Sequence, residues 1–141
     1  MTLVREAMVP DPRVLPASAT AQEAAELLVR PEVRAVLVVD GGLLVGLVTS
    51  AALVERVVAA GRDPRTTRLG EIAQAAPHTV PPDLALDDAY RLMEAEDVER
   101  LPVTEGGRLL GVLSRSGLQR RLAEDELPEP GLVAGAAQQE V

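Results

Sequence analysis

The chain writes one stretch of itself twice. Gly111-Val112-Leu113-Ser114-Arg115-Ser116-Gly117-Leu118 stands sixty-five residues after Gly46-Leu47-Val48-Thr49-Ser50-Ala51-Ala52-Leu53. Each copy reads as a short apolar strand that meets a hydroxyl residue and turns into a helix. The match extends far beyond these positions. Residues 4–57 slide onto 69–122 without a gap, and 13 of the 54 positions are identical. Pro16 falls on Pro81, Ala24 on Ala89, Leu27 on Leu92, Val33 on Val98, Val38 on Val103, and Gly41-Gly42 on Gly106-Gly107. A constant offset over this length means one supersecondary unit used twice. Copies of about 55 residues are each marginal alone, so the two are expected to share a core.

The residue types available restrict what such a pair can do. There is no Phe or Trp and one Tyr, Tyr90, so the core must be aliphatic. Without Cys there is no disulfide framework, zinc-finger pattern or thiol nucleophile, and the lone His78 cannot build a histidine metal cluster. Its dull reading is an exposed loop residue. The 14 basic residues are all arginines, scattered among 22 acidic ones for a net charge of −8. That pattern offers neither the basic face nor the aromatic platforms that nucleic acids require. The longest apolar stretch, 35–48, is broken by Asp40-Gly41-Gly42 and is too short to span a bilayer. Arg5 and Glu6 stand where a secretory signal would need its apolar region. The expectation is a cytoplasmic protein with no nucleic-acid or membrane partner.

Along the chain, a short helical or irregular lead over 4–8 is broken by Val9-Pro10-Asp11-Pro12, and 13–15 is extended. Thr20-Ala21-Gln22-Glu23 has capping-box spacing and opens a helix over 21–30, stopped by Pro31. Residues 35–39 and 43–48 form a hairpin about Asp40-Gly41, and a helix over 50–60 ends at Gly61. The second copy repeats the order: lead 69–74, extended 78–80, helix 86–95 with Tyr90 inward, strands 100–104 and 109–113, helix 116–124. The units span 1–61 and 69–126, with a linker over 62–68. The tail 127–141 has two prolines, two glycines and no periodicity, and is expected to be flexible.

Strand, helix, strand, strand, helix in tandem, with Pro81 ahead of the helix, Arg100-Leu101-Pro102-Val103, Glu105-Gly106-Gly107 and Gly111-Val112-Leu113-Ser114, resembles a CBS domain pair, or Bateman module. The first copy carries the resemblance through Pro16, Val36-Leu37-Val38-Val39-Asp40 and Gly46-Leu47-Val48-Thr49. It implies an α/β (α+β) fold of two β-α-β-β-α units packed about a pseudo-two-fold axis, with two clefts. It also implies a non-catalytic regulatory module that needs no cofactor. Many such pairs take AMP, ADP, ATP or S-adenosylmethionine and signal to a partner protein.

In the family, a Gly-h-x-Thr/Ser-x-x-Asp motif supplies a hydroxyl for phosphate and a carboxylate for the ribose. A hydroxyl beside the free N–H groups of a helix start suits an anion. This chain departs from the motif, with Ala52 and Gly117 in place of the carboxylate. A charged acceptor's hydrogen bonds are worth about 1.5–3 kcal/mol, so its loss weakens binding. The resemblance places the better nucleotide site at Thr79, Arg100, Leu101, Pro102, Ser114, Arg115 and Gly117, with Leu101 and Pro102 against the base. A weaker one falls at Val14, Val36, Thr49, Ser50 and Ala52. The duller alternatives stay open: Ser114 and Thr49 as helix caps, Arg100 and Arg115 as solvated cations, Pro102 as an edge marker. So does a whole-chain alternative, a degenerate pair with empty clefts serving as a dimerisation scaffold. Leu53, Val54, Val57 and Val58 give the helix over 50–60 more apolar surface than one core stripe requires, which points to a homodimer. The effector protein is unknown.

Overall fold

The computed structural model describes residues 1–11 and 13–126, so the expectation for the tail 127–141 lies outside the described residues. In order, the elements are β1 (Val14–Pro16), α1 (Ala21–Leu28), β2 (Val36–Asp40), β3 (Leu43–Val48) and α2 (Ser50–Leu53). Then come α3 (Leu69–Ile72), α4 (Leu86–Glu96), β4 (Arg100–Glu105), β5 (Arg108–Ser114) and α5 (Arg115–Glu126). The strands form one sheet in the order β1-β2-β3-β5-β4.

Local chemistry sets most of these elements. Thr20 Oγ1 accepts from the Glu23 N–H at 3.2 Å, while Glu23 Oε1 accepts from the Thr20 N–H at 2.9 Å. This closed capping box starts α1, which buries Ala21, Ala24 and Leu28. Gly41 and Gly42 adopt φ +58° and +85°, and Gly106 and Gly107 +60° and +83°. Two consecutive positive φ angles make the tight turn that suits the twist of a hairpin. Both hairpins even bulge at the same place, between Val38 and Val39 and between Val103 and Thr104.

The two units meet at Leu43 and Arg108, which are repeat equivalents. Leu44 N–H donates to the Gly107 carbonyl at 2.9 Å, and Leu109 N–H to the Gly42 carbonyl at 3.1 Å. Each bond is the other's image under the 65-residue offset. Pairing of a position with its own equivalent is what a two-fold rotation produces.

The lead segments cross over. Val4, in a short 3₁₀ turn (Val4–Glu6), is buried among Val80, Leu86, Ala89, Met93, Leu101 and Leu113 of the second unit. Leu69 and Ile72 are buried in the core of the first, with Ala21, Ala24, Leu28, Val36 and Val48. Backbone bonds mirror the exchange: Val4 N–H to the Leu84 carbonyl, and Leu69 N–H to the Ala19 carbonyl, both at 2.9 Å. Each core is therefore completed by the segment that precedes the other unit in sequence.

Two elements differ from expectation. The extended stretch 78–80 forms a single parallel bridge, Val80 to Val103, where β1 forms three. In the first unit Leu37 N–H donates to the Arg13 carbonyl and Ala17 N–H to the Val39 carbonyl. The equivalent residues are Pro102 and Pro82, which have no N–H to give. The expected helix 50–60 is α-helical only to Leu53 and continues as a π-helix over Val54–Val58. Val54, Val57 and Val58 are β-branched, and such residues have weak α-helical preference. Gly61, at φ +71°, ends the segment as expected.

Candidate functional site

Both strand-to-helix junctions use their hydroxyl as a cap. Thr49 Oγ1 accepts from the Ala52 N–H, and Ser114 Oγ from the Gly117 N–H, each at 3.1 Å. A hydroxyl that accepts still has its own proton to donate, so capping leaves one donor free at each junction. The glycine that opens the motif has a structural task. Leu47 exchanges backbone bonds with Gln74, and Val112 with Val9. A Cβ on Gly46 would stand 2.2 Å from the Gln74 carbonyl oxygen, and one on Gly111 3.0 Å from that of Val9. The bare backbone lets the crossing segments lie against β3 and β5.

Arg100 and Ser114, cross-strand partners on β4 and β5, are brought together as expected. They share a cavity of about 260 Å³ with Pro31, Glu32, Arg34, Glu99 and Ser116, so both units contribute walls. Behind Arg100 lies a cluster the sequence did not announce. Asp11, whose side chain is 4% exposed, holds its Oδ2 3.8 Å from Arg100 Nη1. Its Oδ1 accepts from the Arg13 N–H at 2.8 Å and lies 3.9 Å from Arg13 Nε. Arg13 Nη1 is buried without a hydrogen-bond partner. Two guanidinium groups thus share one carboxylate, and Arg13 keeps an unmet buried donor beside it. An unsatisfied buried donor costs about 1–3 kcal/mol, which an added acceptor would recover. Asp11 and Arg13 belong to the first unit and Arg100 to the second. Only the crossing of the leads makes them neighbours, and no spacing in the sequence encodes it.

Other expected site residues lie elsewhere. Thr79 lines a separate cavity of about 260 Å³ with Leu44, Val45, Gly46, Ala75, Ala76, Thr104 and Gly107, so it does not join Ser114. The pseudo-two-fold places it against β3 of the opposite unit. Arg115 is engaged: its Nη1 donates to Asp97 Oδ1 at 2.9 Å and to Glu99 Oε2 at 3.5 Å. The hydrogen bond it donates to Asp97, above all, raises the already high pKa of this guanidinium. Arg115 ties the end of α4 to the start of α5 and is no free donor to the cleft. Leu101 is 1% exposed in the second core, and Pro102 is also buried, its missing N–H on the outer edge of β4. Neither lines the cavity that holds Arg100 and Ser114.

Gly117 and Ser114 also line a cavity with Ala7, Val9, Leu118, Arg120 and Arg121. A Cβ on Gly117 would meet Ser114 Oγ at 2.6 Å, so any side chain there displaces the capping hydroxyl. In the first unit Val36 and Ala52 are core residues, Val14 pairs with Leu37, Thr49 caps and Ser50 is exposed. Tyr90 is half-buried over the second core, its hydroxyl accepting from Gln119 Nε2 at 3.0 Å. His78 Nε2 lies 3.3 Å from Glu96 Oε1, with no metal-ligand cluster among the described residues.

Fold and cleft together define a duplicated α/β module with a cavity whose walls come from both repeats. The CBS domain family model matches residues 4–59 and again 69–124, and the chain belongs to the CBS domain family. The CBS domain-containing protein YhcV of Bacillus subtilis is 30% identical over 118 residues, 84% of each chain. CBSX2 in complex with AMP superposes with a TM-score of 0.70 at 26% identity, covering 90% of this chain and all of its own. Hypoxic Response Protein I with two coordinated zinc ions gives the same TM-score and identity over 86% and 99%. Among the described residues no helix is long and apolar enough to cross a membrane.

Proposed function

We propose that this CBS pair is a non-catalytic regulatory module of the cytoplasm. It binds an anionic adenosine compound (AMP, ADP, ATP or S-adenosylmethionine) between its units and acts on an effector protein by contact. The observation that carries the reading is the gathering of Arg34, Arg100 and Ser114 on one inter-unit cavity, with Arg100 backed by the Asp11–Arg13 pair. A phosphate supplies the acceptors that one carboxylate cannot. The AMP complex of CBSX2 supports the ligand class. The zinc of Hypoxic Response Protein I is not carried over, because this chain has one His and no Cys. The site keeps Arg100 and Ser114 and adds Arg34, with Arg13 adjoining Arg100 through Asp11, while Thr79 belongs to a second, neutral cavity.

Selectivity rests on the phosphates, since Ala52 and Gly117 offer no carboxylate to the ribose. A calorimetric screen of AMP, ADP, ATP, S-adenosylmethionine and adenosine tests this. Phosphorylated ligands are expected to bind at least tenfold tighter than adenosine, with affinity falling as salt rises. Absence of heat from every compound at millimolar concentration overturns it.

A second reading, a scaffold with empty clefts, is favoured by Asp11, which already neutralises part of the cluster. Under either reading the module is a homodimer. Val54 and Val58 leave a large apolar surface exposed on the first unit, and sedimentation at high micromolar concentration is expected to show twice 14.9 kDa.

A further inference from the structure

Ser114 lines two cavities. One is the inter-unit cavity, where Arg34 and Arg100 are balanced by Glu32 and Glu99. The other, also about 260 Å³, is walled by Ala7 and Val9 of the first unit's lead and by Gly117, Leu118, Arg120 and Arg121 of α5. Its walls carry two guanidinium groups and no carboxylate.

The repeat offset separates the structural arginine of this pair from the unexplained one. Arg121 Nη1 donates to the Glu6 carbonyl at 3.3 Å, and its equivalent Arg56 donates to the Ile72 carbonyl at 3.2 Å. Both pin a crossing lead to the helix beside it, a task common to the two units. Arg120 has no such task. Its equivalent is Glu55, which lies 3.9 Å from Arg56 Nε and offsets that charge. In the second unit the sign at this position is reversed. Among residues 1–11 and 13–123, neither Arg120 nor Arg121 has an ion-pair partner. The carboxylate of Glu6 is held by the Leu3 N–H at 2.8 Å. Arg120 reaches back over the first turn of α5, its Nη2 lying 3.9 Å from where a Cβ on Gly117 would stand.

Two guanidinium groups without a counter-ion, beside a hydroxyl that still has a proton to donate, suit a phosphate. The shared wall keeps the two cavities within one side chain of each other. A nucleotide whose 5′-phosphate meets Arg34 and Arg100 carries its ribose past Ser114 and turns the 2′,3′ edge of the sugar toward Gly117 and Arg120. A hydroxyl on that edge leaves the two charges unanswered, whereas a phosphate on it meets them.

We infer that the cavity at the start of α5 is a second phosphate subsite. Its ligand is an adenosine bisphosphate, with one phosphate at the 5′ position and the other on the 2′- or 3′-hydroxyl. The inference rests on the nucleotide reading proposed above and narrows its ligand class.

Calorimetry on the full chain compares AMP, ADP, adenosine 2′,5′-bisphosphate and adenosine 3′,5′-bisphosphate at one salt concentration. One of the two bisphosphates is expected to bind about tenfold tighter than AMP, and tighter than ADP, whose two phosphates sit in a single row. Arg120→Gln, a change at an exposed position, is expected to bring the ratio of bisphosphate to AMP affinity close to one, with the circular dichroism spectrum unchanged. ADP matching the better bisphosphate would mean that total charge and not its placement is read, and overturns the subsite. AMP matching both bisphosphates, or a ratio that Arg120→Gln leaves intact, overturns it equally. In each of these cases the nucleotide site itself stands. Heat from none of the four at millimolar concentration overturns both readings.

Discussion

A methyl group added at Gly46 and one added at Gly111 should not cost the same, although the two residues are repeat equivalents. The first would press on the Gln74 carbonyl at 2.2 Å and the second on that of Val9 at 3.0 Å. Overpacking against a fixed backbone costs about 1–3 kcal/mol and occasionally more. Gly46→Ala is expected at the top of that range and Gly111→Ala at the bottom. Urea unfolding followed by circular dichroism measures both, since the chain has no Trp. Asp11 invites the opposite kind of change. Asp11→Asn removes the carboxylate that competes for Arg13 and Arg100, so AMP should bind about tenfold tighter while the fold loses stability. Unchanged or weaker AMP binding in a folded Asp11→Asn protein would contradict the assignment of the cluster. At this scale the sequence was only partly legible. Ser114 and Thr49 could be seen as caps and as hydroxyls. Arg115 could not be seen to be spent on Asp97 and Glu99, because that depends on how α4 and α5 end up side by side.

The elements were the most legible part, because their causes are local. Thr20 with Glu23, the paired glycines of each hairpin and Gly61 act within a few residues, and each does what its spacing predicts. The stretch 78–80 falls short of a full strand because one ladder donor is withheld by its partner strand, at Pro102, and another by its own continuation, at Pro82. Pro102→Leu, which copies Leu37, is therefore expected to supply an N–H to the carbonyl of His78. Hydrogen exchange should find the new amide at 102 protected to a degree comparable with that of Leu37. Exchange at the rate of an open amide would mean that the edge is shaped by something other than the missing donor.

For the whole molecule, the units read along the sequence are not the units that pack. The duplication and its constant offset were visible, and the pseudo-two-fold follows from Leu43 facing Arg108. The crossing was invisible, since a lead segment is equally apolar whichever core it enters. Its consequence is a specific boundary: a fragment 1–62 lacks Leu69 and Ile72, which are 0% and 1% exposed in the first core, and should not fold. A fragment 10–74 includes them and should be measurably more helical. In the full chain Ile72→Ala should cost about 2–4 kcal/mol, although Ile72 lies outside the first repeat as the sequence counts it. The same crossing places the first unit's Asp11 and Arg13 beside Arg100 of the second, and so creates the proposed site. Amide shifts in an NMR titration with AMP test that claim most directly. They are expected at Arg13, Arg34, Arg100, Ser114 and Ser116, with Gly46, Ala76 and Thr79 unmoved; shifts confined to the latter group, or none at millimolar AMP, would contradict it.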